Sequence, residues 1–180
     1  MENDVALTPI LRAAVDTDAA AIASLYNHYI NGTTITFEET PVSSDEIAAR
    51  MQHVRQLNLP WFVAEIDRSG SLRRVIGWSY ATWFRERVSY RYTVETAVYL
   101  DPAFLGHGYG KLLYRHLIED LRTRNLHRAI GGIALPNPAS VRLHEQLGFT
   151  HVGTFTEVGF KFNQWIDVGF WKLDLVRRKS

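Results

Sequence analysis

The chain has 180 residues, the length of one compact domain or at most two small ones. With 46% hydrophobic and 12% aromatic residues it can build a core without a disulfide or structural metal, and it is too apolar to be intrinsically disordered. The 20 Lys and Arg against 19 Asp and Glu argue against a dedicated nucleic-acid binder, and the lack of Cys excludes disulfides, thiolate metal sites and a Cys nucleophile.

A strand is predicted over residues 7–12, from Leu7. Asp16-Thr17-Asp18 then caps a helix over 19–29, where Ile22, Leu25, Tyr26 and Tyr29 recur at three- and four-residue spacing and Gly32 is the stop. Residues 33–37 are β-prone but sit in a connecting segment. Ser43 to Glu46 opens a second helix over 45–56. Strands follow at 61–66 and 75–84, joined by a polar turn containing Gly70, and at 93–100, stopped by Asp101-Pro102. The glycine-rich segment 106–110 opens a long amphipathic helix to about Arg124, marked by Tyr109, Leu112, Leu113, Leu117 and Leu121. The short apolar run 129–135 reads as a buried strand. Asn137-Pro138 opens a helix over 139–147 that Gly148 closes, and strands at 151–160 and 166–175 complete the chain. No repeat or linker divides the sequence, so one domain over 1–180 is expected. The order β, α, α, β, β, β, α, β, α, β, β is an α/β (α+β) pattern with a mixed sheet. No segment reaches the about 20 apolar residues of a membrane span. Met1-Glu2-Asn3-Asp4 is acidic and no apolar signal segment follows it, so a cytoplasmic location with no membrane partner is expected.

Two features carry chemistry. In Leu100-Asp101-Pro102-Ala103-Phe104-Leu105-Gly106-His107-Gly108-Tyr109-Gly110-Lys111 a strand ends and glycines open a helix. Glycine permits the tight turn and a close ligand approach, and the first helical turn offers free N–H groups to an anion such as a pyrophosphate. The spacing fails both the dinucleotide fingerprint and the P-loop, because the third glycine position of the first is Lys111 and the second needs Gly at Leu105. A plain loop and helix cap is the alternative. The second feature is Glu95. By alternation Glu95, Ala97 and Tyr99 share one face of their strand, and Val94, Thr96, Val98 and Leu100 the other. A carboxylate in an apolar strand is costly unless used or paired. It reads either as a general base or as a structural carboxylate bonded to Arg or Tyr.

The turn resembles the acetyl-CoA pyrophosphate loop of the GCN5-related N-acetyltransferases (GNAT), pattern [RQ]-x-x-G-x-[GA], in the frame Leu105-Gly106-His107-Gly108-Tyr109-Gly110. Both small positions match, and Leu105 replaces the Arg or Gln. Further segments are similar to the phosphinothricin N-acetyltransferases, which include the methionine sulfoximine and methionine sulfone acetyltransferases. They are Leu25-Tyr26-Asn27-His28-Tyr29-Ile30, Thr34-Ile35-Thr36-Phe37, the strand 93–100, the segment from Leu135-Pro136-Asn137 through Leu143-His144-Glu145 to Phe149, Gly159-Phe160-Lys161, and Trp165 to Trp171. They recur in order over about residues 8–175.

The resemblance implies a GNAT fold with a mixed, mostly antiparallel sheet flanked by about four helices. It also implies acetyl-CoA as co-substrate, no metal, a small-molecule amine acceptor and a homodimer, with herbicide resistance as a consequence of acting on phosphinothricin. It implies Glu95 as base, and Val98, Tyr99 and Leu100 as the strand that binds the pantetheine arm. Gly106, His107, Gly108, Tyr109, Gly110 and Lys111 would sit around the pyrophosphate, with Asn137 on the arm. Lys111 is alternatively a solvated surface charge, and Asn137 a helix cap. His144 stands near the place where many GNAT enzymes carry an acid for the leaving thiolate, or else is a packing His. Arg85, with Glu86 and Arg87, lies where the family binds substrate, and a guanidinium matches a carboxylate or phosphinate. Solvated loop charges are the other reading. Phe37 and Tyr90 or Tyr92 are candidate pocket walls. Some relatives carry a His soon after G-F-K, where this chain has Phe162. Trp165, Phe170 and Trp171 form either a dimer interface or core. The expected reaction is direct acetyl transfer to the α-amino group of phosphinothricin, methionine sulfoximine or methionine sulfone. The alternatives are another small amine, a protein N-terminus, or a non-catalytic acetyl-CoA-binding module.

Overall fold

The computed structural model describes residues 8–67 and 73–176. The acidic N-terminal residues, the Leu7 start of the first strand and the Gly70 turn lie outside them. The described elements are β1 (Ile10–Ala13), α1 (Ala19–Gly32), α2 (Ser44–Gln56), β2 (Trp61–Ile66), β3 (Arg74–Trp83), β4 (Thr93–Leu100), α3 (Tyr109–Thr123), β5 (Arg128–Leu135), α4 (Pro138–Gln146), β6 (Thr150–Lys161) and β7 (Gln164–Asp174). The strands form one sheet in the order β1-β2-β3-β4-β5-β7-β6. All neighbours are antiparallel except β4 and β5, which run parallel. A parallel pair needs a long crossover, and α3 supplies it. The mixed, mostly antiparallel sheet with four helices is the one expected.

Local chemistry explains the helix starts. The Ser43 hydroxyl accepts the Glu46 N–H at 3.1 Å, and Asn137 Oδ1 accepts the Ser140 N–H at the same distance. Gly108 begins α3 in a left-handed conformation, φ 81°. The β-prone residues 33–37 form no strand, because their hydroxyls take up the hydrogen bonds a strand partner would supply. Thr33 Oγ1 accepts the Ile35 N–H at 3.2 Å and donates to the Tyr29 carbonyl at 2.8 Å, and Thr36 Oγ1 accepts the Glu38 N–H at 3.3 Å and meets Tyr26 Oη at 2.7 Å.

The helices divide between the two faces of the sheet. Tyr99 of β4 packs edge-on against Tyr26 and Tyr29 of α1. Thr96 bonds Tyr114 of α3 on the other face, where His144 of α4 also lies. Alternation along β4 therefore assigns Glu95, Ala97 and Tyr99 to the α1/α2 face and Val94, Thr96, Val98 and Leu100 to the α3/α4 face. Ile22, Ile30, Ile47 and Met51 bury one side of the sheet, and Leu113, Leu117 and Leu121 the other. Each such side chain contributes about 1.5–3 kcal/mol of burial. None of the described helices is long and apolar enough to cross a membrane.

Gly77 of β3 lies opposite Leu100 of β4. A Cβ there would stand 2.6 Å from the Tyr99 carbonyl oxygen and 2.7 Å from a Leu100 methyl. The oxygen belongs to the backbone and cannot swing away, so Gly77→Ala should lower stability by about 1–3 kcal/mol. A shift of the urea midpoint measures this, and an unchanged midpoint contradicts the close approach.

Candidate active site

The central feature is where β4 leaves β5. The strands pair only at Thr93↔Arg128, Val94↔Ala129 and Glu95↔Ile130, yet β4 continues to Leu100 and β5 to Leu135. The Asp101 N–H donates to Ile76, and Thr93 accepts from the Phe84 N–H. Odd-numbered residues of β4 therefore direct their backbone groups to β3, and Val98 and Leu100 direct theirs into the gap left by β5. The Leu100 carbonyl accepts the Tyr29 hydroxyl.

The gap is held by side chains. Thr96 Oγ1 lies 3.2 Å from the Ile130 carbonyl, the position at which backbone pairing stops, and 2.7 Å from Tyr114 Oη. Tyr114 Oη is in turn 3.0 Å from His144 Nε2, and His144 Nδ1 is 2.8 Å from the Ser140 carbonyl. A carbonyl only accepts, so Nδ1 carries the proton and Nε2 accepts the Tyr114 hydroxyl, and the single Thr96 hydroxyl proton is shared between Tyr114 Oη and the Ile130 carbonyl. His144 is 4% exposed and both ring nitrogens are engaged. Burial pushes its pKa down, with the Ser140 carbonyl opposing, so the ring is neutral. The imidazole occupies the space where Gly131 has no side chain, and any Cβ there would overlap it.

Glu95 lies on the opposite face at the last paired position. With Phe37, Tyr99, Gly132 and Phe170 it lines a pocket of about 230 Å³. A Cβ at Gly132 would stand 3.4 Å from Glu95 Oε1. Burial pushes the Glu95 carboxyl up, and the positive charge of Arg85 pulls the other way by less. The arrangement is a half-buried carboxyl of raised proton affinity beside unpaired strand amides, which suits proton abstraction next to a polarised carbonyl.

Arg85, Glu86 and Arg87 are exposed in the bend after β3 and line a neighbouring hollow with Thr82 and Tyr90. The Arg85 guanidinium lies 4.2 Å from the Phe84 ring centroid and has no ion-pair partner among the described residues. Of the candidate walls, Phe37 lines the Glu95 pocket and Tyr90 the Arg85 hollow. Tyr92 stands outside both, under the Arg91 guanidinium.

In the glycine turn Gly106 (φ 84°) and Gly108 (φ 81°) are left-handed, with open space where a Cβ would be. His107 Nδ1 lies 3.0 Å from the Leu105 carbonyl, and Lys111 Nζ donates to Gln146 at 3.1 Å. Tyr109 is buried and Leu105 is exposed. Asn137 caps α4. Phe162 is half of a two-residue hairpin turn with Asn163, both at positive φ, and its ring centroid lies 4.9 Å from Lys161 Nζ. The C-terminal aromatics separate: Trp171 is core, Phe170 walls the Glu95 pocket, and Trp165 is exposed.

Tyr29, Thr96, Tyr114 and Phe170 were not among the residues singled out from the sequence for these positions. The one sequence signal for them is the Gly131-Gly132 doublet inside an apolar strand, which marks close approach on both faces of the sheet.

Residues 11–169 match the family described as acetyltransferase (GNAT) domain. The phosphinothricin N-acetyltransferase of Streptomyces coelicolor is 35% identical over 174 residues, covering 92% of this chain and 95% of its own. The L-methionine sulfoximine/L-methionine sulfone acetyltransferase of Salmonella typhimurium is 37% identical over 166 residues, covering 92% and 94%. The crystal structure of a GNAT-superfamily phosphinothricin acetyltransferase from Sinorhizobium meliloti in complex with acetyl-CoA superposes with a TM-score of 0.87 at 35% identity, covering 93% of this chain and 89% of that one. With this match over most of its length, the parting of β4 and β5 and the glycine turn that opens α3, the chain belongs to the GNAT N-acetyltransferases, in the company of the phosphinothricin and methionine sulfoximine enzymes.

Proposed function

We propose that this N-acetyltransferase moves an acetyl group from acetyl-CoA directly to the α-amino group of a small amino acid analogue of the phosphinothricin, methionine sulfoximine or methionine sulfone type. The observation that carries the reading is Glu95, a half-buried carboxyl of raised proton affinity where β4 parts from β5. The residues fit acetyl-CoA. Val98 and the Leu100 N–H offer strand-edge groups to a pantetheine arm, Tyr99 lies between them, and Gly106 and Gly108 leave their backbone open to a pyrophosphate at the α3 N-terminus. His107, Tyr109, Gly110 and Lys111 complete that turn, and Asn137 stands at the start of α4. Acetyl-CoA supplies the acetyl thioester.

Glu95 accepts the proton that the attacking amine must lose. The Leu100 N–H donates to the oxygen on which negative charge develops, and Tyr29 anchors the same residue through its carbonyl, on the following peptide unit. Arg85, with Arg87 and Glu86 beside it, receives the acceptor's carboxylate, and Phe37 closes the pocket above Glu95. In this reading His144 is a positioning residue: its engaged, neutral ring orients Tyr114 and, through it, Thr96. Val152, Phe155, Phe160 and Trp165 are exposed on the last hairpin and form the face for a second copy, with a homodimer as the expected mass by light scattering.

Glu95→Gln should lower turnover by about two orders of magnitude or more at unchanged acetyl-CoA affinity, measured as CoA thiol release with L-methionine sulfone. Near-native turnover would remove the base assignment. The base works deprotonated, so kcat/KM should rise with pH through a limb above the ordinary carboxylate value of 4.5. Arg85→Gln removes the charge that pulls Glu95 down, so for the same amine the limb should move to higher pH. A limb that stays or moves down contradicts the electrostatic account.

A further inference from the structure

Residues 33–43 cross from α1 to α2 without forming a strand, and three of them, Ile35, Thr36 and Phe37, line the Glu95 pocket. Most polar anchors of this strap lead back to the two helices. At its start the Thr33 N–H donates to the Tyr29 carbonyl at 3.1 Å. Near its end the Asn27 side chain bonds both the N–H and the carbonyl of Val42, at 2.8 and 2.9 Å. Between them Tyr26 donates to Glu38 at 2.9 Å, and Arg50 of α2 donates to the same carboxylate at 2.6 and 3.0 Å.

The last hairpin meets the strap at two points. Gly159 and Lys161 share one face of β6 and are its two buried residues. The Phe37 ring fills the space that Gly159 leaves, since a Cβ there would stand 2.3 Å from Phe37 Cζ. Lys161 Nζ donates to the Thr36 carbonyl at 2.8 Å, the one hydrogen bond between strap and hairpin among the described residues. Two adjacent strap residues thus dock on two same-face positions of one strand.

A lysine this deep is unusual. Lys161 is 1% exposed, and no carboxylate among the described residues forms an ion pair with it. Glu38, two residues beyond its acceptor, is taken by Arg50 and Tyr26. A methionine would fill the same stem without the cost of desolvating an amine, so packing alone does not call for Lys here. What the amine adds is a fixed place for the Thr36 carbonyl, and so for Phe37, the next residue.

We propose that Lys161 is a positioning residue for the acceptor: by holding the Thr36 carbonyl it seats Phe37 against Gly159 and fixes the wall over Glu95. The inference rests on the reading of the Glu95 pocket as the place where the amine reacts. Lys161 itself does not line that pocket and acts through the strap.

The test is steady-state CoA thiol release by the full chain with acetyl-CoA and L-methionine sulfone. Lys161→Met keeps the buried stem and removes the donor. It should raise the acceptor KM about tenfold, the worth of a hydrogen bond from a charged group, at unchanged KM for acetyl-CoA. Phe37→Ala removes the ring that Lys161 seats. In that background Lys161→Met should change the acceptor KM by less than about twofold, because residues acting through one contact are not additive. Should Lys161→Met fail to fold, Lys161→Gln, smaller and still a donor, carries the same comparison in both backgrounds with an expected rise of about threefold. A native acceptor KM in the Lys161 variant, an equal loss with and without the Phe37 ring, or a parallel rise in the KM for acetyl-CoA overturns the positioning role and leaves Glu95 as base. No thiol release by the native chain overturns the acceptor reading of the pocket, and the role of Lys161 with it.

Discussion

The structure turns on three residue pairs. Once Thr93, Val94 and Glu95 have paired with Arg128, Ala129 and Ile130, β4 and β5 separate, and the one parallel pair of the sheet opens into a cleft. Unpaired strand groups are costly when buried and useful when a ligand can take them. The cleft is not left to the backbone alone. Thr96 caps the last carbonyl of β5 that pairing would have reached, Tyr114 and His144 hold Thr96, and the His144 ring occupies the room left by Gly131. The separation is thus built in by side chains from two helices.

Alternation along β4 then sorts the chemistry. The odd residues carry the Glu95 carboxyl and the Tyr99 ring into the α1/α2 side, while the even residues carry Thr96 into the α3/α4 side and offer their backbone to the cleft. The Glu95 pocket and the support of the cleft therefore occupy opposite faces of one strand, and substitution on one face need not disturb the other.

Much of this was legible in the sequence where the signal is local. The strand at residues 93–100 and the glycine turn follow from alternation and from residues that tolerate positive φ, and β2 has the predicted bounds. Glu95 stood out as a carboxylate in an apolar run. What could not be read depends on contacts across the sheet. Nothing near Thr96 announces that Tyr114 and His144 will hold it, although the Gly131-Gly132 doublet marked the strand beside it. Residues 33–37 have strand composition, but hydroxyl bonds to α1 override it.

One contact has a bearing on how the site is assembled in time. Lys161, 1% exposed, donates to the Thr36 carbonyl at 2.8 Å, and the Phe37 ring rests against Gly159. The wall over Glu95 thus joins chain positions 125 residues apart, across a loop whose closure is entropically costly and slow. The cleft between β4 and β5 and the helix between those strands come from neighbouring sequence. On a ribosome the elements from β2 to β5 emerge first, and the pocket around Glu95 closes only when the last hairpin docks, since β7 both completes the pairing of β5 and brings Val168 and Phe170 to its lining.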